Sequence, residues 1–390
     1  MTAPSPVLDL DDAARIEAAD STGVLRSAAL GGAQVRATAA AIAEGALARL
    51  ADLCPRSVLL VAGPGRAARA AALLTAAVGG TAGLPVVALS ETPPWVGPLD
   101  VVVVAGEDAA DPRLVTSVDR ALRRGAEVVI VAPDEGPLRA VGAGRAATLP
   151  PRVRVPDHNT LLRYLAAGIA VLAAVDSVRS GPLLPDLERL ADALDAEAAR
   201  DRPGSEVFGN PAKALAARMF RQSVVLTGDA PATAEVARHG AEVALRCGGA
   251  VVAAADLTDV IAAASKLAGP VQPDFDPFFH DEELDGPAPT QAVRVFVLST
   301  DSDRIGVERR LAILPDAQLV GADAVGAIDL PAPTEGSGSV LEPLAILCLR
   351  LEMAAAYGAL LAGGIESSYG DSPFGQSPIG QSSFGEGGGH

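Results

Sequence analysis

The chain predicts an α/β fold of two sandwiches with parallel sheets, related by duplication. Three observations carry this: apolar, β-branched runs alternate with helical stretches, the same order of elements occurs twice, and each half closes on a long apolar helix. Strand–helix alternation of this kind demands parallel strands joined by right-handed crossovers.

In the first half, SVLLVA (Ser57 to Ala62) runs into the turn Gly63-Pro64-Gly65, and an Ala-rich helix follows from Arg66 to about Val78. PVVAL (85–89), VVVVA (101–105), a helix over 112–124 and EVVIVA (127–132) complete the pattern. These runs are apolar throughout, as strands buried on both faces are. In the second half, SVVLT (223–227) leads into a helix over 232–247. Then come AVVAAA (250–255), a helix over 257–267, VRVFVLS (293–299), a helix from 303 to about 313, and QLVGA. The closing helices span 158–175 and 339–361.

At 390 residues and 39.2 kDa the chain has room for two domains with their own cores. The expected division is N-terminal helices over 1–52 packing on the first domain, with Gly31-Gly32 as a break, and the first domain over 53–180. A helical linker over 181–212 carries the clearest boundary signal, a polar Pro/Gly turn. The second domain covers 213–363, and a disordered low-complexity tail covers 364–390.

Composition removes several function classes. The net charge is −17 and the cations are nearly all arginine, with lysine only at 213 and 266. So acidic a chain with 3% aromatics offers neither a basic face nor a stacking platform, so no nucleic-acid partner is expected. No run of about 18 apolar residues escapes a charge or turn signal, and no membrane partner is expected either. The first twenty residues have neither a basic stretch nor an apolar one, which predicts a cytoplasmic protein. Cys54, Cys247 and Cys348 are too scattered for a metal cluster or disulfide framework, so no metal and no cofactor are predicted.

In parallel sheets, ligands gather at the carboxyl ends of strands, where helix N-termini attract anions. Gly63, Gly65 and Arg66 stand at such a place and read as either an anion site or a tight glycine turn. The next loop, Gly106-Glu107-Asp108-Ala109-Ala110-Asp111, carries three carboxylates, and its stronger reading is helix capping by Asp111 with Pro112 in the first turn. His239 and Glu242 share a helix face at a spacing of three, either an acid–base pair or an exposed surface pair. His158 reads as a helix-start residue, and Phe278-Phe279-His280-Asp281 as a loop or interface.

The order of elements, the glycine turn and the patch Asn210-Pro211-Ala212-Lys213 resemble the sugar isomerase (SIS) family. The similarity is nearest to its bifunctional phosphoglucose/phosphomannose isomerases, in the actinobacterial TobH-like branch, and covers about 13–361 in organisation. The resemblance implies two SIS-type three-layer αβα sandwiches, a sugar phosphate as ligand and a homodimer. It also implies aldose–ketose isomerisation, with Glu242 on the position of the catalytic glutamate and Gly63, Gly65, Arg66 and Gly106 on the substrate-binding loops. This chain departs from the family pattern where it matters for turnover. The loop at Gly106 has no hydroxyl, the polar neighbours of Glu242 are gone, and the downstream family histidine has no counterpart over 252–261. The expectation is therefore a phosphosugar-binding protein of hexose and mannose phosphate metabolism with catalysis weak or absent. Its alternatives are an active glucose-6-phosphate/mannose-6-phosphate isomerase and a non-catalytic scaffold for a partner enzyme.

Overall fold

A computed structural model describes residues 8–51, 53–176, 181–220, 222–268, 292–300, 304–314, 317–322 and 339–363. The tail after 363 and the stretch around His280 lie outside these.

Helices α1 (Ala13–Ala19), α2 (Val24–Ala28) and α3 (Gly31–Ala43) precede the first sheet. It comprises β1 (Ser57–Ala62), β2 (Val86–Leu89), β3 (Asp100–Ala105), β4 (Glu127–Val131) and β5 (Ala147–Thr148). Between them run α4 (Arg66–Val78), α5 (Pro112–Arg123) and α6 (Gly136–Gly142). After α7 (Leu161–Val175), α8 (Leu187–Arg200) and α9 (Pro211–Met219) link the halves. The second sheet has β6 (Val224–Gly228), β7 (Ala253–Ala254), β8 (Arg294–Leu298) and β9 (Gln318–Val320). Its helices are α10 (Pro231–Gly248), α11 (Leu257–Ala262), α12 (Ala264–Leu267) and α13 (Arg304–Arg310), and α14 (Leu341–Leu361) closes the chain.

Both sheets are parallel, in the orders β2-β1-β3-β4-β5 and β7-β6-β8-β9. The first four positions repeat, as a duplication requires. In each sheet the order turns back beside the first strand, so the ligand crevice of such a fold lies outside the carboxyl ends of β1 and β3, or of β6 and β8.

Alternation along the strands divides the interior. Val58, Leu60, Val101, Val103, Val129, Leu226 and Phe296 face one core shared by both halves. Leu59, Val61, Val102 and Val104 face a second core under α5, while Val225, Val295 and Val297 face a third under α11 and α13. The two sheets thus flank a common helical layer, which explains why these runs carry no polar alternation.

α14 is the centre of that layer. It is long and apolar enough to span a membrane, yet 83% of its most apolar window is buried inside the protein, against α2, α8, α9 and α10. The cover that so apolar a helix needs is therefore supplied within the chain.

The break expected at Gly31-Gly32 falls there, since α2 ends at Ala28 and α3 begins at Gly31. The two glycines also allow close packing on α7 and α8: a Cβ on Gly31 would stand 2.5 Å from Leu162 and one on Gly32 2.0 Å from the Asp195 carboxylate. Two expectations need correction. The strand expected over 250–255 shrinks to β7, whose edge position leaves Val251 86% exposed. The helix expected over 257–267 divides at Ala263 into α11 and α12.

The Asn-Pro-Ala-Lys patch is structural. Asn210 caps α9 by accepting from the Lys213 amide at 2.8 Å, and Pro211 fills the first turn. Lys213 is fully buried and donates to the carbonyls of Pro203 and Ser205, each at 2.7 Å, near the Tyr357 ring. Burial pushes its ammonium pKa down. Lys213→Met, which keeps the length but leaves both carbonyls unpaired, is expected to cost about 2–3 kcal/mol. A urea midpoint equal to wild type would contradict this.

Candidate functional site

α4 and α10 pack in opposite directions at the seam between the halves, and charged side chains line their contact. Gly65, held at φ +92° where only glycine is comfortable, turns the chain from β1 into α4, so that Arg66 opens the helix. Arg66 is buried, with its side chain 8% exposed. Its Nη1 donates to His239 Nδ1 at 3.1 Å and its Nη2 pairs with Glu242. Arg69, one turn on, donates to the other Glu242 oxygen at 2.5 Å and pairs with Glu235. Arg238 also pairs with Glu235 and reaches Asp256 at 2.7 Å.

Glu242 and Arg66, expected respectively as base and anion anchor, are therefore brought together and bound to each other. Burial pushes the Glu242 carboxyl up, but the hydrogen bond from Arg69 and the charges of Arg66 and Arg69 outweigh it, holding the group below its ordinary range. Its side chain remains 35% exposed.

His239 is not on an exposed face: it is fully buried. A guanidinium can only donate, so the contact with Arg66 makes Nδ1 the acceptor and leaves the ring proton on Nε2. That proton goes to Glu352, at 3.0 Å. Burial, with Arg66 opposing further charge, pushes the His239 pKa down and keeps the ring neutral. Glu352, 1% exposed, also accepts from Asn159 Nδ2 at 2.9 Å. Asn159 in turn accepts from Ser27 Oγ at 3.1 Å and, through its main-chain oxygen, from Gln34 Nε2 at 2.9 Å. One polar chain thus runs from α2 and α3 through Asn159, Glu352 and His239 to Arg66. His158, half-enclosed beside it on the 3-10 turn Asp157–Asn159, is shifted down by burial, and the neighbouring Asp157 pairs with Arg246.

The other predicted loop residues serve the scaffold. The Gly63 amide donates to Ala105 O at 2.9 Å and that of Gly106 to Val131 O at 3.2 Å, so both extend the ladder beyond the strands. A Cβ on Gly106 would lie 2.5 Å from Leu114. Glu107 points at α7: Thr160 and Tyr164 donate hydroxyls to it, each at 2.6 Å, and Arg163 adds Nη2 at 3.3 Å. Asp108 accepts from the Ala110 amide, and Asp111 caps α5 with Pro112 in the first turn, as expected. All three loop carboxylates are engaged within the protein.

Glu352, Asn159 and Arg69 went unrecognised in the sequence. A signal existed for the first, because a glutamate and an arginine within the apolar stretch LCLRLEM must be paired to be buried there.

Chemically, the cluster presents a carboxylate that is ionised at neutral pH and a neutral histidine with both ring nitrogens occupied. A proton transfer between adjacent sugar carbons calls for a base whose pKa approaches the working pH. Glu242 is displaced in the other direction.

No known protein-family profile matches the sequence, and no curated protein does. Solved structures share the fold. Tagatose-6-phosphate ketose/aldose isomerase from Escherichia coli superposes with a TM-score of 0.60 at 14% identity, covering 88% of this chain and 95% of that one. The C-terminal domain of glucosamine-fructose-6-phosphate aminotransferase from Francisella tularensis gives 0.54 at 9% identity over 87% and 95% of the two chains. Glucosamine-6-phosphate deaminase from Thermotoga maritima gives 0.52 at 9% identity over 80% and 87%. The fold is that of two SIS-type sandwiches, and its neighbours carry out different reactions, so chemistry must be argued from the site.

Proposed function

We propose that this chain is a double-SIS protein that binds a sugar phosphate of the hexose 6-phosphate class at the start of α4, with isomerase turnover weak or absent. The observation that carries the reading is the grip of Arg66 and Arg69 on Glu242. A carboxylate bound by two guanidiniums is a weak base, and a guanidinium holding a carboxylate must exchange it for a phosphate before it can anchor a ligand. The three neighbours named above all have names built on sugar phosphates, which supports the ligand class. A homodimer and a place in hexose and mannose phosphate metabolism belong to the same proposal, since both come with the resemblance, and a cytoplasmic location joins them from the character of the first twenty residues.

Fructose-, glucose- and mannose-6-phosphate should raise the melting temperature, because a ligand that binds only the folded state stabilises it. In deuterium oxide, wild-type protein should leave C2 of glucose- and mannose-6-phosphate and C1 of fructose-6-phosphate undeuterated. Exchange that disappears in Glu242→Gln would replace this reading with that of an active isomerase, in which Glu242 moves the proton. Melting that no sugar phosphate shifts would favour a scaffold that acts on a partner enzyme.

A further inference from the structure

At the seam, two guanidiniums converge on one carboxylate. Arg66 gives Nη2 to one oxygen of Glu242, and Arg69 gives Nη2 to the other at 2.5 Å. Another edge of each arginine is committed elsewhere. Arg66 Nη1 meets the buried His239, and Arg69 Nη1 pairs with Glu235, which Arg238 also holds. Between α4 and α10 the protein thus aims two cationic N–H groups at a single oxyanion.

Exposure ranks the three side chains. Arg66 is 8% exposed and Arg69 21%, while Glu242 is 35% exposed. The carboxylate is therefore the solvent side of the cluster and covers the guanidiniums. Rotation of its own side chain carries it into water, whereas His239 and Glu235 keep the arginines in place.

The uncovered arrangement fits a phosphate group. A phosphate monoester carries a charge of about −1.5 to −2 at pH 7 and three strong acceptor oxygens, against one charge and two oxygens for Glu242. It serves both Nη2 groups and compensates them more fully than the carboxylate does. A sugar hydroxyl brings no charge and cannot compete with Glu242 for them.

We propose that Nη2 of Arg66 and Nη2 of Arg69 form the phosphate subsite, and that Glu242 fills it as an internal counter-anion until a phosphate group displaces it. This assigns Arg69 to the ligand and makes Glu242 a competitor for the site instead of a base. The inference rests on the sugar-phosphate reading of the same site and deepens it. Any anion that binds here must first release the same Glu242 contacts, so the affinity for each is lowered by one common factor.

Calorimetry on the full-length wild type and Glu242→Gln, with glucose 6-phosphate and with inorganic phosphate, tests it. Glu242→Gln should bind both about 10- to 100-fold more tightly, and by the same factor for each, because a charge-assisted competitor is gone. Glucose 6-phosphate bound by the variant no more tightly than by wild type would overturn the inference and leave the sugar-phosphate reading standing. A gain for inorganic phosphate, with glucose 6-phosphate bound by neither protein, would keep the subsite and remove the hexose reading. No binding of either anion to either protein would remove both. A crystal structure of the wild type with glucose 6-phosphate needs no variant. It should show phosphate oxygens on both Nη2 groups and Glu242 turned to solvent, and a phosphate bound elsewhere with the Arg66–Glu242 pair intact would overturn the inference.

Discussion

Arg350→Ala is expected to lower the unfolding free energy by about 3–5 kcal/mol, the usual cost of stranding one member of a buried ion pair. Arg350 stands in the middle of α14 with its side chain 2% exposed, and its Nε donates to Glu197 of α8 at 2.6 Å. The remaining edges donate to the carbonyls of Gly321 and of Ala322, the latter at 3.0 Å. One side chain therefore ties the linker helix, the closing helix and the segment after β9. Its removal leaves Glu197, 1% exposed, with Arg200 at 2.8 Å as its remaining ion-pair partner, and leaves two carbonyls short of a donor. Urea unfolding checks the value, and Arg350→Met combined with Glu197→Gln separates charge from packing. The double variant should recover much of the loss, because neither residue is then a buried charge without its mate. A loss of less than about 1 kcal/mol for Arg350→Ala would show that the site relaxes to admit water, against the burial described.

The parallel sheets were readable because their strands are buried on both faces. SVLLVA, VVVVA and EVVIV leave no room for a polar alternation, and each is followed by a turn and a helix. Where one face or one edge is open, as at β7, the same reasoning overstates the strand. The helix break at Gly31-Gly32 was legible, but the close approach these glycines permit was not, because it depends on the facing helices. The site was legible as residue types but not as contacts. Arg66 and Glu242 lie 176 positions apart and meet only because α4 and α10 pack across the seam. Sequence reasoning assigned them separate duties, one on a phosphate and one on a proton, and no local pattern could reveal that each satisfies the other. His239 illustrates the same limit: its spacing from Glu242 suggested a shared exposed face, but the acceptor it presents to Arg66 is set by Glu352, on a helix more than a hundred positions away.

The pH dependence of stability should carry the signature of Asp201, the residue that ends α8. It is fully buried, accepts from the Ala212 amide at 3.1 Å through one oxygen, and has no partner for the other among the described residues. Burial, and then the charge of Glu197 one turn earlier, push its carboxyl up to about 7, with Arg350 and Arg200 only partly opposing. Below the ordinary carboxylate pKa of about 3.9, Asp201 is protonated in the folded and unfolded chains alike and the folded state bears no penalty. As pH rises from there toward 7, the unfolded chain releases the proton while the native state retains it. Stability therefore falls by up to about 1.4 kcal/mol per pH unit, and it levels off once the native group ionises as well. Asp201→Asn keeps an acceptor for Ala212 and cannot ionise, so it should match wild type near pH 4 and exceed it clearly at pH 8, with the margin growing in between. Because the other carboxylates titrate in both proteins, the difference between their urea midpoints across pH reports Asp201 together with its interaction with Glu197. Parallel curves would mean that Asp201 is ionised in the native state throughout, held so by Arg350 and Arg200. The Arg350→Ala variant should then lose far more at pH 8 than at pH 5, since it would strand two buried carboxylates instead of one.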